Sequence, residues 1–180
     1  MKFRHTYDPK DIGRMEYKYN EVARKCGINV PDYKLLDGKY FASKRFDIEN
    51  GKRLHIATAG ALLNESISNP KLDYKVLLHL TGYLTQDSQQ VDEMFQRMVF
   101  NVLTDNKDDH VKNFSFICRE GKWSLAPAYD LTLCKEGYHG EHATSANNKR
   151  NPDIEDMLAV GESIRIPRRK GMEIINHMIN

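Results

Sequence analysis

The sequence has little of what marks a disulfide-stabilised, membrane-spanning or polyanion-binding protein. Its three cysteines, Cys26, Cys118 and Cys134, form no C-x-x-C pair, so neither a disulfide framework nor a zinc site is expected. His139 and His142 lack further ligand-type residues at metal spacing, which also argues against zinc. No apolar run reaches the roughly 20 residues of a membrane span, and the N-terminus has no signal-peptide core. The net charge of +2 gives no support to direct nucleic-acid binding. We therefore expect a cytoplasmic protein without a membrane partner.

What is present is the composition of an ordinary folded domain. Hydrophobic residues make up 40% of the 180 positions, which is too many for a disordered chain of such low net charge. No repeat, low-complexity tract or linker divides the chain, so a single domain over 1–180 is predicted.

Hydrophobic periodicity predicts helices joined by small hairpins, an α+β fold that is mainly helical with small antiparallel sheets. The region 134–152 is rich in Gly, His, Asn and Lys and is predicted to be a surface loop. The predicted helices are 11–25, 57–64, 71–83, 88–104, 153–160 and 168–179, and the predicted strands are 33–36, 40–46, 114–118 and 123–126.

An acidic loop, TDNKDDHVK at 104–112, follows the long helix. Clustered carboxylates repel each other unless a cation, a base role or capping absorbs the charge. Because the hairpin behind the loop returns the chain to its start, the spacing brings Asp108, Asn113 and Asp130 to one small volume. Their oxygen atoms suit a Mg²⁺ ion shared with a substrate phosphate. A purely structural interpretation stays open, since Asp and Asn are common in turns and His110 could be an ordinary structural histidine.

Asp108 and Asn113 stand as D-x-x-x-x-N, the spacing between the base and the metal-binding Asn of a protein-kinase catalytic loop. Asp130 occupies the place of the second metal-binding Asp, one hairpin later. The chain has no HRD, and Asp130 is in YDL rather than DFG. The spacing is therefore a weak indication when taken alone.

The longer run NVLTDNKDDHVKNFSFICREGKWSLAPAYDLTL resembles the C-terminal kinase region of HipA-like serine/threonine kinases, the toxins of HipA–HipB-type toxin–antitoxin systems. The family signature N-x-D-[DGR]-H-x-K-N-[FW] matches 106–114, and L-[AT]-P-x-Y-D matches 125–130. Upstream, MEYKYNEVARKCGINVP and KYFASKRFD look like a helix-and-turn and a strand of the family, and RLH at 53–55 looks like its R-x-H stretch. The resemblance runs from the first residues to about residue 133.

The resemblance implies a protein-kinase-like fold, with a remnant of the N-lobe and the hinge at 1–46 and the C-lobe at 47–180. It implies transfer of the ATP γ-phosphate to a protein hydroxyl, with Asp108 as catalytic base and Asn113 and Asp130 holding Mg²⁺. It further places Glu16 opposite a phosphate-gripping lysine at Lys2, the hinge that meets adenine at Lys44, Arg45 and Phe46, and His110 near the phosphates.

Each of the ATP-binding assignments has a plainer alternative. Glu16 could be a solvated helix residue, Lys2 a frayed terminus, and Lys44 and Arg45 edge-strand charges. Family members also carry a phosphate-covering loop ahead of the lysine strand, and no GxGxxG-like cluster replaces it here. We therefore expect that the N-terminal strands and this loop are absent, and that the chain alone has weak or no kinase activity.

The family also suggests partners. Known targets include aminoacyl-tRNA synthetases, so a protein substrate of this kind and a HipB-like antitoxin are the partner candidates. The rival interpretation is a non-catalytic fragment, derived from a kinase, that binds nucleotide or a partner chain.

Overall fold

A helix lying on a β-hairpin opens the described part of the fold. The computed structural model describes residues 9–68 and 70–180. Helix α1 is Ile12–Lys25, and strands β1 (Tyr33–Leu36) and β2 (Tyr40–Ser43) pair antiparallel. This agrees with the predicted helix and hairpin, except that the second strand stops at Ser43 and not at position 46.

Helix α1 packs closely on the hairpin because its first turn contains Gly13. A Cβ atom at this position would lie only 2.1 Å from the carbonyl oxygen of Lys39. The face that meets the hairpin and the interior also buries Glu16, Asn20 and Ala23. Glu16 is 3% exposed, so it is not the solvated helix residue that the plainer interpretation allowed.

Five further strands form two small antiparallel sheets. Strands β3 (Ile48–Glu49) and β4 (Lys52–Arg53) make a short exposed ribbon. Strands β5 (His55–Thr58), β6 (Ser115–Arg119) and β7 (Lys122–Leu125) form a three-stranded sheet with β6 in the middle. The predicted hairpin behind the acidic loop is therefore β6–β7.

Strand β5 corrects the helix predicted at 57–64. Ala57 and Thr58 end the strand, where Ala57 is paired with Phe116 of β6. The helix that follows, α2, is only Ala59–Leu63, and the Thr58 hydroxyl caps it by accepting from the backbone N–H of Ala61. The strand was missed because the partner that stabilises it lies far along the chain.

Four longer helices build the main core: α3 (Tyr74–Thr85), α4 (Ser88–Leu103), α5 (Ile154–Ser163) and α6 (Arg168–Ile179). All four correspond to predicted helices. No helix among the described residues is long and apolar enough to cross a membrane. The largest fully buried hydrophobic side chains of this core are Tyr74, Leu77, Leu78, Met94, Phe95, Met98, Phe116, Met157, Leu158 and Ile175.

Phe95 of α4 lies against both α5 and α6. A Cβ atom at Gly161 of α5 would lie 2.8 Å from the Phe95 ring, and one at Gly171 of α6 would lie 3.6 Å from it. Helix α5 therefore approaches the ring with its backbone, which a side chain at Gly161 would prevent. At Gly171 of α6 the close contact of an added Cβ would be with Leu158, at 2.9 Å, and not with the ring.

A second, smaller apolar cluster joins α1 to the rest of the molecule. Ala23 and Ile28 pack against Phe100 of α4 and against Leu131, which follows the β6–β7 hairpin. The hydroxyl of Tyr19 on α1 donates to the carbonyl oxygen at the end of α4, 2.5 Å away at Thr104. Helix α1 is thus fixed beside the start of the acidic loop.

Candidate active site

The acidic loop begins where α4 ends, and backbone hydrogen bonds hold its entry. Asp105 has φ 54°, a left-handed conformation that turns the chain out of the helix. The N–H of Asn106 donates to the carbonyl of Asn101 at 3.0 Å, and the N–H of Lys107 donates to the carbonyl of Cys134 at 3.1 Å. The loop therefore runs beside the start of the 134–152 segment.

Two consecutive aspartates of this loop have opposite environments. The side chain of Asp108 is 52% exposed, whereas that of Asp109 is fully buried. His110 lies beside the exposed carboxylate, with its Nε2 atom 3.7 Å from Oδ1 of Asp108. Its Nδ1 atom is buried and has no hydrogen-bond partner among the residues that the structure describes. The carboxylate of Asp108 is therefore accessible at the surface of the loop, and that of Asp109 points into the interior.

Asn113 closes the loop onto Asp108. Its side-chain nitrogen donates to the carbonyl oxygen of Asp108 at 2.8 Å, and its backbone N–H donates to the carbonyl of His110 at 2.9 Å. Because the amide nitrogen is engaged in this way, the amide oxygen is the atom left to accept a hydrogen bond or bind a cation. The segment from Asp108 to Asn113 therefore forms a closed turn, in which the amide oxygen of Asn113 is available as an acceptor or ligand.

The buried carboxylate of Asp109 is bound from three directions. The hydroxyl of Tyr74 donates to Oδ2 at 2.7 Å, Nδ1 of His142 lies 3.0 Å from the same oxygen, and the N–H of Thr144 donates to Oδ1 at 3.1 Å. The Thr144 hydroxyl also donates to the carbonyl of Asp109. Burial and the neighbouring carboxylate of Asp109 hold the pKa of Tyr74 well above its usual range. The phenol therefore stays a hydrogen-bond donor throughout the neutral range.

This network corrects the prediction for 134–152. The segment contains no helix and only isolated bridges, as expected, but its middle is not on the surface. Arg150 holds it in place by donating to the carbonyls of His142, Ala143 and Pro70 at 3.0, 3.1 and 2.5 Å. The residues buried there are His142, Ala143, Thr144 and Ala146.

Asp130 follows a tyrosine that is tied to the hairpin. The hydroxyl of Tyr129 is 2.5 Å from that of Ser115 and also donates to the carbonyl of Lys112. The Phe46 ring lies 5.4 Å from the Tyr129 ring, centroid to centroid. Burial raises the pKa of Tyr129. Asp130 itself has φ 54°, so the backbone turns sharply at the residue predicted to bind metal.

Glu16 of α1 borders two cavities, each of which contains one other predicted site residue. One cavity, of about 240 Å³, is lined by Glu16, Tyr129 and Asp130 together with residues of β2. The other, of about 640 Å³, is lined by Glu16 and Asp108, with Thr132 among the remaining residues. The structure therefore brings Glu16, Asp108 and Asp130 to neighbouring walls of the same region.

The residues of the predicted hinge lie just after β2. Lys44 and Arg45 pair with the nearby carboxylates of Asp32 (3.8 Å) and Asp47. The Arg45 guanidinium lowers the pKa of Asp47 through its hydrogen bonds. Lys44, Arg45 and Phe46 line a third cavity of about 390 Å³, which shares Pro31 with the cavity of Glu16 and Asp130. Lys2 lies outside the described residues.

The donor set of Asn113 and Asp130 is compatible with Mg²⁺. This ion prefers hard oxygen ligands, and it commonly takes one or two protein groups and completes its shell with phosphate and water. Within 9–68 and 70–180 no three His, Cys, Asp or Glu side chains gather into a ready metal cage. Mg²⁺ that is shared with a phosphate does not need such a cage.

Solved structures of similar shape define the class of fold. The chain superimposes with a TM-score of 0.80 on HipA from the complex of *Shewanella oneidensis* MR-1 HipA, HipB and operator DNA, at 20% identity, covering 98% of this chain and 48% of HipA. It matches the *Helicobacter pylori* proinflammatory kinase CtkA with a TM-score of 0.58, at 14% identity, covering 95% of this chain and 82% of CtkA. The fold is therefore α+β and protein-kinase-like.

The family follows from the sequence comparison. The model of the HipA-like C-terminal domain matches residues 1–180, and the chain belongs to this family. A curated relative, the candidate kinase Y4dM of *Sinorhizobium fredii* (strain NBRC 101917 / NGR234), is 28% identical over 153 residues, which cover 75% of this chain and 37% of Y4dM. The chain thus spans less than half the length of both Y4dM and HipA.

Proposed function

We propose that the chain is the catalytic region of a HipA-like serine/threonine kinase, which transfers the γ-phosphate of ATP to a protein hydroxyl with the help of Mg²⁺. The observation that carries the proposal is the position of Glu16, which borders both the cavity with Asp108 and the cavity with Asp130. A buried helix glutamate beside a candidate base and a candidate metal ligand is the arrangement that protein kinases use for phosphoryl transfer.

In this proposal each side chain has a simple task. The hydroxyl oxygen of the substrate forms a bond to the γ-phosphorus, while the bond between that phosphorus and the leaving oxygen of ADP breaks. Asp108 accepts the proton that the substrate hydroxyl loses. Asn113 supports Asp108 through its hydrogen bond to the Asp108 carbonyl, and its amide oxygen and the carboxylate of Asp130 hold Mg²⁺. The ion, when bound, neutralises charge on the phosphates.

The remaining assignments concern ATP itself. Glu16 orients a lysine that grips the phosphates, for which Lys2 is the candidate. The backbone of Lys44, Arg45 and Phe46 meets adenine, and His110 lies near the phosphates beside the base. These roles follow the family resemblance, and they are open to the binding experiment below.

A nucleotide titration tests the binding part of the proposal. The purified chain is titrated with ATP at several Mg²⁺ concentrations by calorimetry, beside Asp130→Asn and a control, Glu120→Gln, in the exposed β6–β7 turn. We expect affinity to rise with Mg²⁺ in the wild type and the control, and this dependence to be lost in Asp130→Asn. Equal affinity in all three proteins, or no binding by any of them, would contradict a metal–phosphate site here.

A phosphate-transfer assay tests the catalytic part. With radiolabelled ATP and a generic protein acceptor, Asp108→Asn should lower incorporation about 100-fold or more, because the base is lost while the side-chain volume is kept. Its control is Asp105→Asn in the same loop. Incorporation that persists in Asp108→Asn would show that Asp108 is not the base.

A second candidate function is nucleotide or partner binding without phosphate transfer. The chain spans 48% of the matched HipA chain. Tight Mg²⁺-dependent binding without any incorporation would support this second function.

The Shewanella HipA is in a complex with HipB and DNA, and a HipB-like antitoxin is accordingly a proposed partner of this chain. A protein substrate such as an aminoacyl-tRNA synthetase, and a cytoplasmic location, are proposed on the same family grounds.

A further inference from the structure

The buried side of the acidic loop carries a hydrogen-bond network that the proposed chemistry does not use. It centres on Asp109, whose carboxylate is bound by Tyr74 and His142, and it continues through Asn101, which donates to the Tyr74 hydroxyl at 2.9 Å. Asn106 in turn donates to the side-chain oxygen of Asn101 at 2.9 Å. All five side chains are at most 4% exposed. Charged groups are rarely buried so completely without a specific structural reason.

The network joins three parts of the chain that are distant in sequence. Tyr74 belongs to α3 and Asn101 to α4, whereas His142 and Thr144 belong to the 134–152 segment. Tyr74, His142 and Thr144 contact Asp109, the residue next to Asp108, and Asn101 is joined to it through Tyr74. Because Asp109 is held at its side chain and at its carbonyl, the peptide that leads from Asp108 has little freedom to rotate.

We propose that His142 is a positioning residue for Asp108: by hydrogen-bonding the buried Asp109 carboxylate, it fixes the direction in which the neighbouring carboxylate points. This inference rests on the proposed function. With a proton on Nδ1, the imidazole of His142 donates this hydrogen bond to Oδ2 of Asp109. The 134–152 segment thereby contributes to the site without touching substrate.

A graded series of variants at position 142 tests the role of that single hydrogen bond. Asparagine places its amide nitrogen about where Nδ1 of histidine is, so His142→Asn keeps the donor, whereas His142→Ala removes it. His79→Ala, on the exposed side of α3, is the matched control for the same substitution. For each protein kcat, the KM for ATP, and backbone hydrogen exchange over 105–113 are measured.

We expect His142→Ala to lower kcat about 10- to 100-fold while the KM for ATP changes less than twofold, since a misdirected base slows transfer and leaves nucleotide binding intact. Exchange should accelerate mainly within 105–113, and His142→Asn should restore most of both properties. Wild-type kcat in His142→Ala, equal losses in the Ala and Asn variants, or faster exchange over the whole chain would each overturn the inference.

A second variant and the exchange data keep this test separate from that of the proposed function. If His142→Ala does not fold, Tyr74→Phe is the second variant. It removes the other hydrogen bond to Oδ2 of Asp109, together with the one that Asn101 donates to the phenol, and should give the same pattern more weakly. If the wild type transfers no phosphate, the proposed kinase activity of this chain is wrong. The hydrogen-exchange data alone then decide whether His142 has the positioning role. Acceleration confined to 105–113 and reversed by Asn supports the positioning role, and any other exchange pattern overturns it.

Discussion

At the scale of single residues, the most informative feature is the pair of neighbouring aspartates. Asp108 and Asp109 have the same side chain, and only their surroundings separate a candidate base from a buried anchor. The D-x-x-x-x-N spacing predicts Asp108 as the base, and in the structure the Asn113 side chain hydrogen-bonds the Asp108 carbonyl. Nothing local distinguishes Asp109, because its partners Tyr74, His142 and Thr144 lie 33 to 35 residues away in either direction.

The Tyr74 hydroxyl should contribute measurably to stability. It donates to a buried carboxylate and accepts from Asn101, so Tyr74→Phe leaves two buried polar groups without this partner. We expect the free energy of unfolding to fall by about 2 kcal/mol, as for hydrogen bonds to charged groups. Urea denaturation measures it, with Tyr83→Phe as control because that side chain is 76% exposed. An equal effect of both substitutions would contradict this account of the network.

Asp156 should make stability depend on acid pH. Burial raises its pKa, but hydrogen bonds from Asn147, from the backbone at Asp153 and from Lys149 outweigh burial and lower it from 3.8 to about 2. A carboxyl whose pKa is lower in the folded state stabilises fully above its unfolded pKa. That contribution is lost as pH falls from about 4 through about 2.

The test for Asp156 compares the wild type with Asp156→Asn in urea between pH 2 and 7. The wild type should be more stable at pH 6, and its advantage should shrink only below about pH 4. Glu162→Gln, at an exposed position of the same helix, should follow the wild type. A constant difference across the whole range would mean that Asp156 does not titrate as described.

At the scale of elements, close backbone contacts decide where the candidate site residues lie. Helix α1 brings Glu16 to the cavities only because Gly13 lets the helix approach the β1–β2 hairpin. In the same way, Arg150 holds the 134–152 segment against the molecule through three carbonyl oxygens, so that His142 reaches Asp109. Neither contact has a local sequence pattern.

Gly13→Ala should destabilise the protein although alanine favours helix. The added Cβ would lie 2.1 Å from the Lys39 carbonyl oxygen and 3.0 Å from the Phe41 nitrogen, so α1 must move away from the hairpin. We expect a loss of about 1–3 kcal/mol in thermal or urea unfolding, and weaker ATP binding if Glu16 moves with the helix.

The matched control for Gly13→Ala is Gly82→Ala in α3. There the nearest atom to an added Cβ is a methyl group of Val91 at 3.4 Å, which is ordinary contact. This variant should be neutral or stabilised by up to about 1 kcal/mol through helix propensity. If both glycine variants respond alike, the close approach of α1 to the hairpin is not what requires Gly13.

The sequence predicted elements best where local pattern decides them. Helices α4 and α6 were placed almost to the residue, because an amphipathic stripe and a proline at the helix start are local signals. The local pattern at 57–64 predicts helix, whereas residues 57 and 58 end strand β5, whose stability comes from pairing with β6. Polar composition predicts a surface loop at 134–152, because composition does not reveal that polar side chains satisfy one another in the interior.

At the scale of the whole molecule, α4 contributes fully buried side chains to both apolar clusters. Phe95 belongs to the main core with α5 and α6, and Phe100 belongs to the smaller cluster with α1. The acidic loop continues directly from this helix. The candidate base, at one end of α4, and Glu16, across the smaller cluster, are therefore fixed relative to each other by one rigid helix.

Because α4 links the two apolar clusters, we expect the protein to unfold as one unit. Two of its own side chains can be used to follow the unfolding. Trp123, the only tryptophan, packs on the main core, and Cys26 is buried in the smaller cluster. In a Cys118→Ala, Cys134→Ala background, tryptophan fluorescence and Cys26 labelling should follow the same urea transition. Phe100→Leu should shift both transitions together by about 1–2 kcal/mol, although Trp123 belongs to the other cluster. If Cys26 instead becomes reactive before the fluorescence changes, α1 opens separately, and Glu16 is not rigidly placed against Asp108 and Asp130.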